Sequence, residues 1–238
     1  MKFLAAVLFT WLSCVPAFAT DIPSRIEISY DVKTDIGEGE IKEAMDITHT
    51  KNGLSYIINS EAQATGMFKL LEPNVIIRRS EGIITKKGLQ PTKAYEKRGK
   101  NEPNLAIFDW EKHMVTLQHN EQEVNEKLPA DGIDRLSLSY NFIFTPLPKH
   151  HFDRYVVNGQ GLRLSHYKIT KEILDTPIGK METMVLTRQE EKKSKLKRKV
   201  WLALNNHMLP VRIVSVEENG REIDKIVTRI NISYQADQ

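Results

Sequence analysis

Alternation of apolar and polar residues with a period of two dominates this 238-residue chain and favours a mainly β fold. In the first clear run, Ile26, Ile28, Tyr30 and Val32 alternate with polar or charged residues, as in a strand with one buried and one solvated face. Similar runs recur as far as residue 234. This pattern predicts many strands of a sheet whose faces differ in polarity.

Short turn signals separate these runs. Asn-Gly pairs favour type I′ turns because both residues tolerate positive φ, and they occur at Asn52-Gly53, Asn158-Gly159 and Asn219-Gly220. Several strands, including residues 200–204, are apolar on both faces, so a second layer has to cover the sheet. The sequence therefore predicts a curved antiparallel sheet, an open or nearly closed barrel, with one principal helix packed on its concave side.

One segment predicts that helix. Asp131 can cap the free amides at a helix start, and Ile133, Leu136, Tyr140 and Phe144 then fall near one helical face. The apolar residues from 136 to 144 also alternate, which leaves a strand as the alternative. The capping signal favours the helix, and the proline-containing loop that follows cannot continue it.

The N-terminal residues have the pattern of a secretory signal peptide. Lys2 supplies a positive start, residues 3–12 are almost wholly apolar, and Ala17-Phe18-Ala19 forms a cleavage site. The apolar core is too short to span a bilayer, and we expect no transmembrane segment elsewhere. We therefore expect a signal peptide over residues 1–19, cleavage after Ala19, and a single mainly β domain over residues 20–238.

Cysteine content and charge restrict the compartment and the partners. The only cysteine, Cys14, lies in the predicted signal peptide, so the mature chain has no disulfide, and a bacterial periplasm is favoured over an extracellular eukaryotic setting. A lipoprotein modified at Cys14 is the less favoured alternative, because Trp11 stands where a lipobox needs leucine. With 34 basic and 31 acidic side chains the chain is nearly balanced, and we expect no nucleic-acid partner.

Several short motifs together resemble an uncharacterised family of Gram-negative periplasmic proteins, known as a domain of unknown function. They are Gly88-Leu89-Gln90-Pro91, Phe108-Asp109-Trp110, Asp134-Arg135-Leu136-Ser137, Thr176-Pro177-Ile178-Gly179, and Val200-Trp201-Leu202-Ala203 followed by Leu209-Pro210-Val211-Arg212. The resemblance runs from about Ile26 to Ile232 and departs from the family pattern at Gln90, where a basic residue is expected. The family has no established activity, so the resemblance assigns no catalytic residue to this chain.

The Trp201 strand, the Leu209-Pro210-Val211 step and the Asn219-Gly220 hairpin are also distantly similar to carriers that ferry acylated proteins across the periplasm. In that group a half-barrel with a helical lid encloses an apolar cavity, by analogy only. If this chain has such a cavity, aromatic side chains are candidates to line it, with core packing as the alternative. The candidate ligand-binding residues are Phe108, Trp110, Tyr140, Phe144 and Trp201.

A basic run is the strongest local charge feature of the chain. We expect it either to contact anionic phosphates of lipid head groups or to form a solvated hairpin tip or charged edge strand. Its members are Lys192, Lys193, Lys195, Lys197, Arg198 and Lys199.

No motif for catalysis or metal binding stands out. The chain has no Gly-x-Ser-x-Gly elbow and no thiol after the signal peptide. His150, His151 and Asp153 form the densest group of potential ligands. Adjacent histidines on a strand point to opposite faces, whereas in a loop they could share an ion. Because the mature chain offers no thiolate for a structural zinc site, we expect no metal and no cofactor. Asp134 is expected to cap a helix, and Arg135 to pair with a carboxylate or a carbonyl.

These features favour an exported periplasmic binding or carrier protein for an apolar or amphipathic envelope ligand, such as a lipid or an acylated species, without catalysis. The alternative is a protein-interaction module in envelope assembly that holds no small ligand and contacts envelope proteins. An enzyme is the least favoured class, because neither an acid–base pair nor a nucleophile is evident.

Overall fold

A computed structural model describes residues 22–158, 161–189, 196–217 and 220–234 of the chain. The predicted signal peptide and its cleavage site lie outside these residues. In chain order the described elements are β1 (Arg25–Thr34), β2 (Glu38–Thr50), β3 (Gly53–Ala64), α1 (Phe68–Leu71), β4 (Ile76–Thr85), β5 (Gly88–Arg98), β6 (Asn104–Asp109), β7 (Met114–His119), β8 (Gln122–Lys127), β9 (Ile133–Asp134), α2 (Arg135–Tyr140), a 3-10 turn (Asn141–Ile143), β10 (His151–Asn158), β11 (Gly161–Thr176), β12 (Gly179–Arg188), β13 (Lys197–Ala203), β14 (Leu209–Val216) and β15 (Glu222–Ser233).

All fifteen described strands form one sheet in the order β8-β7-β6-β5-β4-β3-β2-β1-β15-β14-β13-β12-β11-β10-β9. Neighbours are antiparallel except β9 and β10, which run parallel and are connected through α2. No ladder joins β8 to β9 in the described chain, so the sheet is not closed into a barrel. The predicted mainly β, curved antiparallel architecture is confirmed in its open form.

The sheet curls around α2. This helix contacts β4 and β5 on one arm of the sheet and β10 and β14 on the other, so it lies on the concave side, as predicted. The two arms also meet through side chains, because Phe108 and Val115 pack in one apolar cluster with Val157. The main core lies between the sheet and the helix, with Ile28, Met45 and Leu202 among its most buried members.

The helix is shorter and starts later than predicted. Its N-cap is Asp134, whose carboxylate accepts hydrogen bonds from the Leu136 and Ser137 amides at 2.9 and 3.0 Å. The prediction that Asp131 caps the helix is wrong, and the prediction that Asp134 is a cap is confirmed. Ile133 belongs to β9, and the chain leaves the α-helix after Tyr140 for a 3-10 turn, so Phe144 lies beyond it.

The turn at Asn52-Gly53 is not centred where the sequence predicted. Thr50 pairs with Gly53, so Lys51 and Asn52 form the tip, and Gly53 has a φ of 117° at the start of β3. Asn52 does not have the positive φ that a type I′ turn requires. Gly159 and Asn219, which belong to the other two predicted turns, lie outside the described residues.

Candidate functional site

The concave side of the sheet contains a cavity of about 280 Å³, here called the first cavity. Part of its wall consists of aliphatic side chains of the inner strand faces, because alternate residues of each strand point inward. These side chains are Val32, Ile41, Ala62, Ile76, Ile213 and Ile223. This part of the cavity can accommodate an apolar group.

Phe68 of α1 forms part of the wall of the first cavity. Its ring lies so close to Gly37, in the turn between β1 and β2, that a Cβ on Gly37 would fall 2.3 Å from the ring. The neighbouring side chains of Met67, Leu70 and Leu71 are 86%, 82% and 79% exposed. An apolar, solvent-exposed segment therefore adjoins the cavity wall.

A second cavity, of about 450 Å³, shares part of its wall with the first. Glu96, Arg98, Arg135, Arg198 and Glu217 line both cavities. The volumes are comparable with those of small-molecule sites, which run from about 300 to 1,000 Å³. The arrangement joins an apolar space to a charged one.

Arg135 is the first residue of α2 and directs an accessible side chain into both cavities. In the described part of the chain its guanidinium makes no hydrogen bond and no ion pair, so the predicted carboxylate or carbonyl partner is not found. Burial lowers the pKa of Arg135, and the neighbouring charge of Arg78 lowers it further, against the opposite effect of Glu96. The guanidinium thus faces open cavity space while the surrounding protein lowers its pKa.

Arg198 reaches the same place from β13. Exposed Lys197 and Lys199 flank it, and strand alternation directs Arg198 to the inner face. Its Nη2 donates to Ser139 Oγ at 3.0 Å, and that hydroxyl donates to the Arg135 carbonyl oxygen at 3.2 Å. Burial and the nearby Arg135 lower the pKa of Arg198 to about 10.

Glu96 is the carboxylate beside these arginines, and two other arginines already bind it. Arg78 Nε donates to it at 2.6 Å and Arg98 Nε at 3.0 Å. Burial would raise the pKa of Glu96, but the two guanidinium groups lower it to about 2. Glu96 is therefore ionised, and its ion pairs are with Arg78 and Arg98, not with Arg135 or Arg198.

A buried hydroxyl network anchors α2 to the sheet. Ser80 Oγ on β4 donates to Asp134 at 2.7 Å and lies 2.6 Å from Ser137 Oγ, which in turn lies 2.9 Å from the Tyr56 hydroxyl. Burial raises the pKa of Asp134 above its ordinary value, although hydrogen bonds from Ser137 and Ser80 act in the opposite direction. These contacts fix the helix end that carries Arg135.

A buried ion pair holds the other end of α2. Lys225 Nζ lies 2.7 Å from Glu43, and the Tyr140 hydroxyl donates to the same carboxylate at 2.6 Å. Burial would raise the pKa of Glu43, but Lys225 and the hydrogen bonds from Tyr140 and Ser60 bring it below its ordinary value. Burial lowers the pKa of Lys225.

The structure places the five predicted aromatic residues away from both cavity walls. Phe108 and Trp110 are stacked at 6.2 Å in the smaller apolar cluster, and Tyr140 is buried in the main core with Phe144 packed against it. Trp201 is buried next to Arg212, whose guanidinium carbon lies 5.0 Å from the indole centre. These aromatic side chains fill the protein interior, whereas aliphatic side chains form part of the wall of the first cavity.

The basic run does not form one described surface. Lys197 and Lys199 are exposed, and Lys197 lines the second cavity only, whereas Arg198 lines both cavities. Lys192, Lys193 and Lys195 lie outside the described residues. The sequence did not predict that Arg135 and Arg198 lie together in the cavity walls. A signal for Arg198 was present, because the alternation of β13 places it on the same face as buried Val200.

Within the described residues, no group of three or more histidine, cysteine, aspartate or glutamate side chains is arranged to hold a metal ion. The helices described by the structure are all too short or too polar to span a membrane.

Solved structures of other proteins match most of the length of this chain. A "Beta-barrel-like Protein of Domain of Unknown Function DUF1849" from Brucella abortus is 8% identical, with a TM-score of 0.53, over 88% of this chain and 98% of that chain. A DUF1329 family protein from Desulfovibrio piger is also 8% identical, with a TM-score of 0.24, over 91% of this chain and 87% of that chain. At this identity the first similarity shows the fold alone.

A search of curated proteins found no match. A family model described as "Protein of unknown function (DUF3108)" matches residues 25–225. This confirms the predicted resemblance to a family known as a domain of unknown function. Since the match covers most of the chain, the protein belongs to the DUF3108 family of proteins of unknown function.

Proposed function

We propose that this chain is an exported periplasmic protein that binds and carries an apolar or amphipathic envelope ligand, such as a lipid or an acylated species, and that it catalyses no reaction. The observation that carries the proposal is the first cavity, an open space with an aliphatic wall inside the curl of the sheet. The N-terminal signal-peptide pattern supports export.

The chemistry of the wall favours an acyl or other hydrocarbon group. Transfer of a methylene group from water to an apolar environment is favourable by about 0.8 kcal/mol, so several methylene groups give useful affinity without a polar contact. A fully packed core has no room for a ligand, whereas the first cavity can take up the hydrocarbon part of one.

Native mass spectrometry tests the proposal directly. Mature protein purified gently from the periplasm is expected to carry a stoichiometric lipid or acylated species, which solvent extraction then identifies. An apo mass that does not change when envelope lipids are added back would contradict the carrier function.

Filling the aliphatic part of the first cavity is expected to abolish binding of a hydrocarbon probe. Ala62→Trp places an indole among Ile41 and Ile76, its neighbours on the adjacent strands and in the cavity wall. Fluorescence titration with pyrenedodecanoate is expected to show a loss of at least about tenfold in affinity, which corresponds to 1.4 kcal/mol.

Glu61→Trp is the matched control, because Glu61 is the preceding, exposed residue of β3 and lines neither cavity. It is expected to bind the probe like the wild type. Equal affinities of the Ala62→Trp variant and the wild type would place the probe outside the first cavity and contradict the proposal.

The exposed side chains of Met67, Leu70 and Leu71 favour a second candidate function, an interaction module in envelope assembly. Exposed apolar groups that are contiguous often mark contact sites for proteins or membranes. A protein that stays apo but is retained by an envelope protein through this segment would support the second candidate over the first.

A further inference from the structure

Arg135 and Arg198 form a positive site where the two cavities meet, here called the arginine junction. Both line both cavities, and Ser139 links them because its hydroxyl contacts the Arg198 guanidinium at 3.0 Å and the Arg135 carbonyl at 3.2 Å. The junction therefore adjoins the apolar wall of the first cavity and opens into the second.

The described carboxylates that line both cavities are paired with other arginines. Glu96 is bonded to Arg78 and Arg98, and Glu217 lies 3.7 Å from Arg98. Among the described residues, neither Arg135 nor Arg198 has an ion pair, and the only side-chain hydrogen bond of the two is that of Arg198 with Ser139. Two guanidinium groups thus share one site without an anion from the described chain.

Desolvation of an arginine without a compensating charge has an energetic cost, and desolvation lowers the pKa of both Arg135 and Arg198. An arginine presents several N–H donors in a planar fork that matches carboxylate and phosphate oxygens. A bound anion would satisfy those donors and reduce the repulsion between the two charges. The side chain of Arg135 is best placed for this, since it already faces open space.

We infer that the arginine junction binds the anionic head group, a carboxylate or a phosphate, of the amphipathic ligand whose hydrocarbon part fills the first cavity. This inference rests on the proposed function and adds the charge and position of the head group. The hydrocarbon lies against Ile41, Ala62 and Ile213, and the oxygens contact the guanidinium groups of Arg135 and Arg198.

Calorimetric titration with octyl phosphate, octanoate and octanol tests the inference, since the three probes share a chain and differ in the head group. The wild type is expected to bind the two anions about ten- to a hundredfold more tightly than octanol, the range expected for hydrogen bonds to a charged group. Arg135→Gln is expected to remove most of this preference, because it lowers the affinity for the two anions far more than the affinity for octanol. Arg135→Lys is expected to retain part of it, because the charge remains and the fork is lost.

Arg229→Gln is the matched control, because Arg229 is an exposed arginine of β15 that lines neither cavity. It removes the same charge and is expected to bind all three probes like the wild type. Unfolding midpoints verify that each variant is folded. Among the described residues, the Arg135 side chain makes no hydrogen bond or ion pair that its replacement would break.

The outcomes separate the two proposals. Equal affinity of the wild type for octyl phosphate and octanol, or equal behaviour of Arg135→Gln and Arg229→Gln, would overturn the inference and leave hydrocarbon binding intact. Binding of none of the three probes would contradict the proposed function itself. Inorganic phosphate is the fourth ligand, and if it binds as tightly as octyl phosphate the junction is a site for free anions, which would overturn the head-group assignment.

Discussion

Replacement of Lys225 by methionine is expected to destabilise the fold by about 3–5 kcal/mol, the usual cost of removing one partner of a buried ion pair. Lys225 is 9% exposed and Glu43 is 4% exposed, and the ion pair joins β15 to β2 across β1. Without the cation, the Glu43 carboxylate keeps its hydrogen bonds from Tyr140 and Ser60 but stays buried as an uncompensated charge. The loss is expected to be smaller at acid pH, where Glu43 takes up a proton.

Urea unfolding at neutral pH measures this effect. Lys42→Met is the matched control, because Lys42 precedes Glu43 on β2 and is 67% exposed, so its replacement is expected to change stability by no more than about 0.5 kcal/mol. The double variant Glu43→Gln with Lys225→Met removes both charges and is expected to recover most of the lost stability. Similar unfolding of the Lys225→Met and Lys42→Met proteins would show that the buried pair does not stabilise the fold.

The strand pattern could be predicted from the sequence because a pleated strand has a strict side-chain period of two. The inward residues of β1, Ile26, Ile28, Tyr30 and Val32, are all buried, as their alternation predicts. The degree of curl could not be predicted in this way. The curl depends on contacts between residues that are distant in the sequence, such as the packing of Phe108 and Val115 with Val157.

A second turn signal, besides the Asn-Gly pairs, is present in the sequence. The pattern Thr-x-x-Gly ends four hairpins, at Thr34, Thr50, Thr85 and Thr176. In each, the threonine hydroxyl donates to the glycine carbonyl and accepts an amide of the turn, as in the bond from the Lys87 amide to Thr85. An Asn-Gly pair predicts only the residues at the tip of a turn, whereas the threonine hydroxyl forms the hydrogen bonds that close it.

The candidate site was predicted poorly, because a cavity depends on where side chains are small as much as on where they are large. Aromatic residues such as Tyr140 and Trp201 fill the core, and the aliphatic cavity wall has no distinctive sequence pattern. Arg198 could have been assigned to the inner face from its alternation with Lys197 and Lys199. The direction of the Arg135 side chain could not have been predicted, because it depends on how α2 packs between β4 and β5 on one side and β10 and β14 on the other.

Acidification is expected to destabilise the wild-type protein through Glu96. Its pKa falls from 4.5 to about 2 in the folded state, so its contribution is complete above its unfolded pKa and is lost as the pH falls towards about 2. This pKa shift corresponds to stabilisation on the order of 3 kcal/mol. Solvent screening reduces it little, because the side chain is only 27% exposed. Glu43, whose pKa is also lowered, acts in the same direction, whereas the raised pKa of Asp134 acts in the opposite one.

The Glu96→Gln variant separates this contribution from the others. It leaves Arg78 and Arg98 without the carboxylate between them, and urea unfolding near neutral pH is expected to show a loss of about 3 kcal/mol. At about pH 3 the variant and the wild type are expected to differ less, since the wild type has then lost part of the same contribution. Glu61→Gln, an exposed carboxylate with no described ion pair, serves as the control. If Glu96→Gln and Glu61→Gln lose the same stability between the two pH values, the ion pairs of Glu96 do not stabilise the wall that the two cavities share.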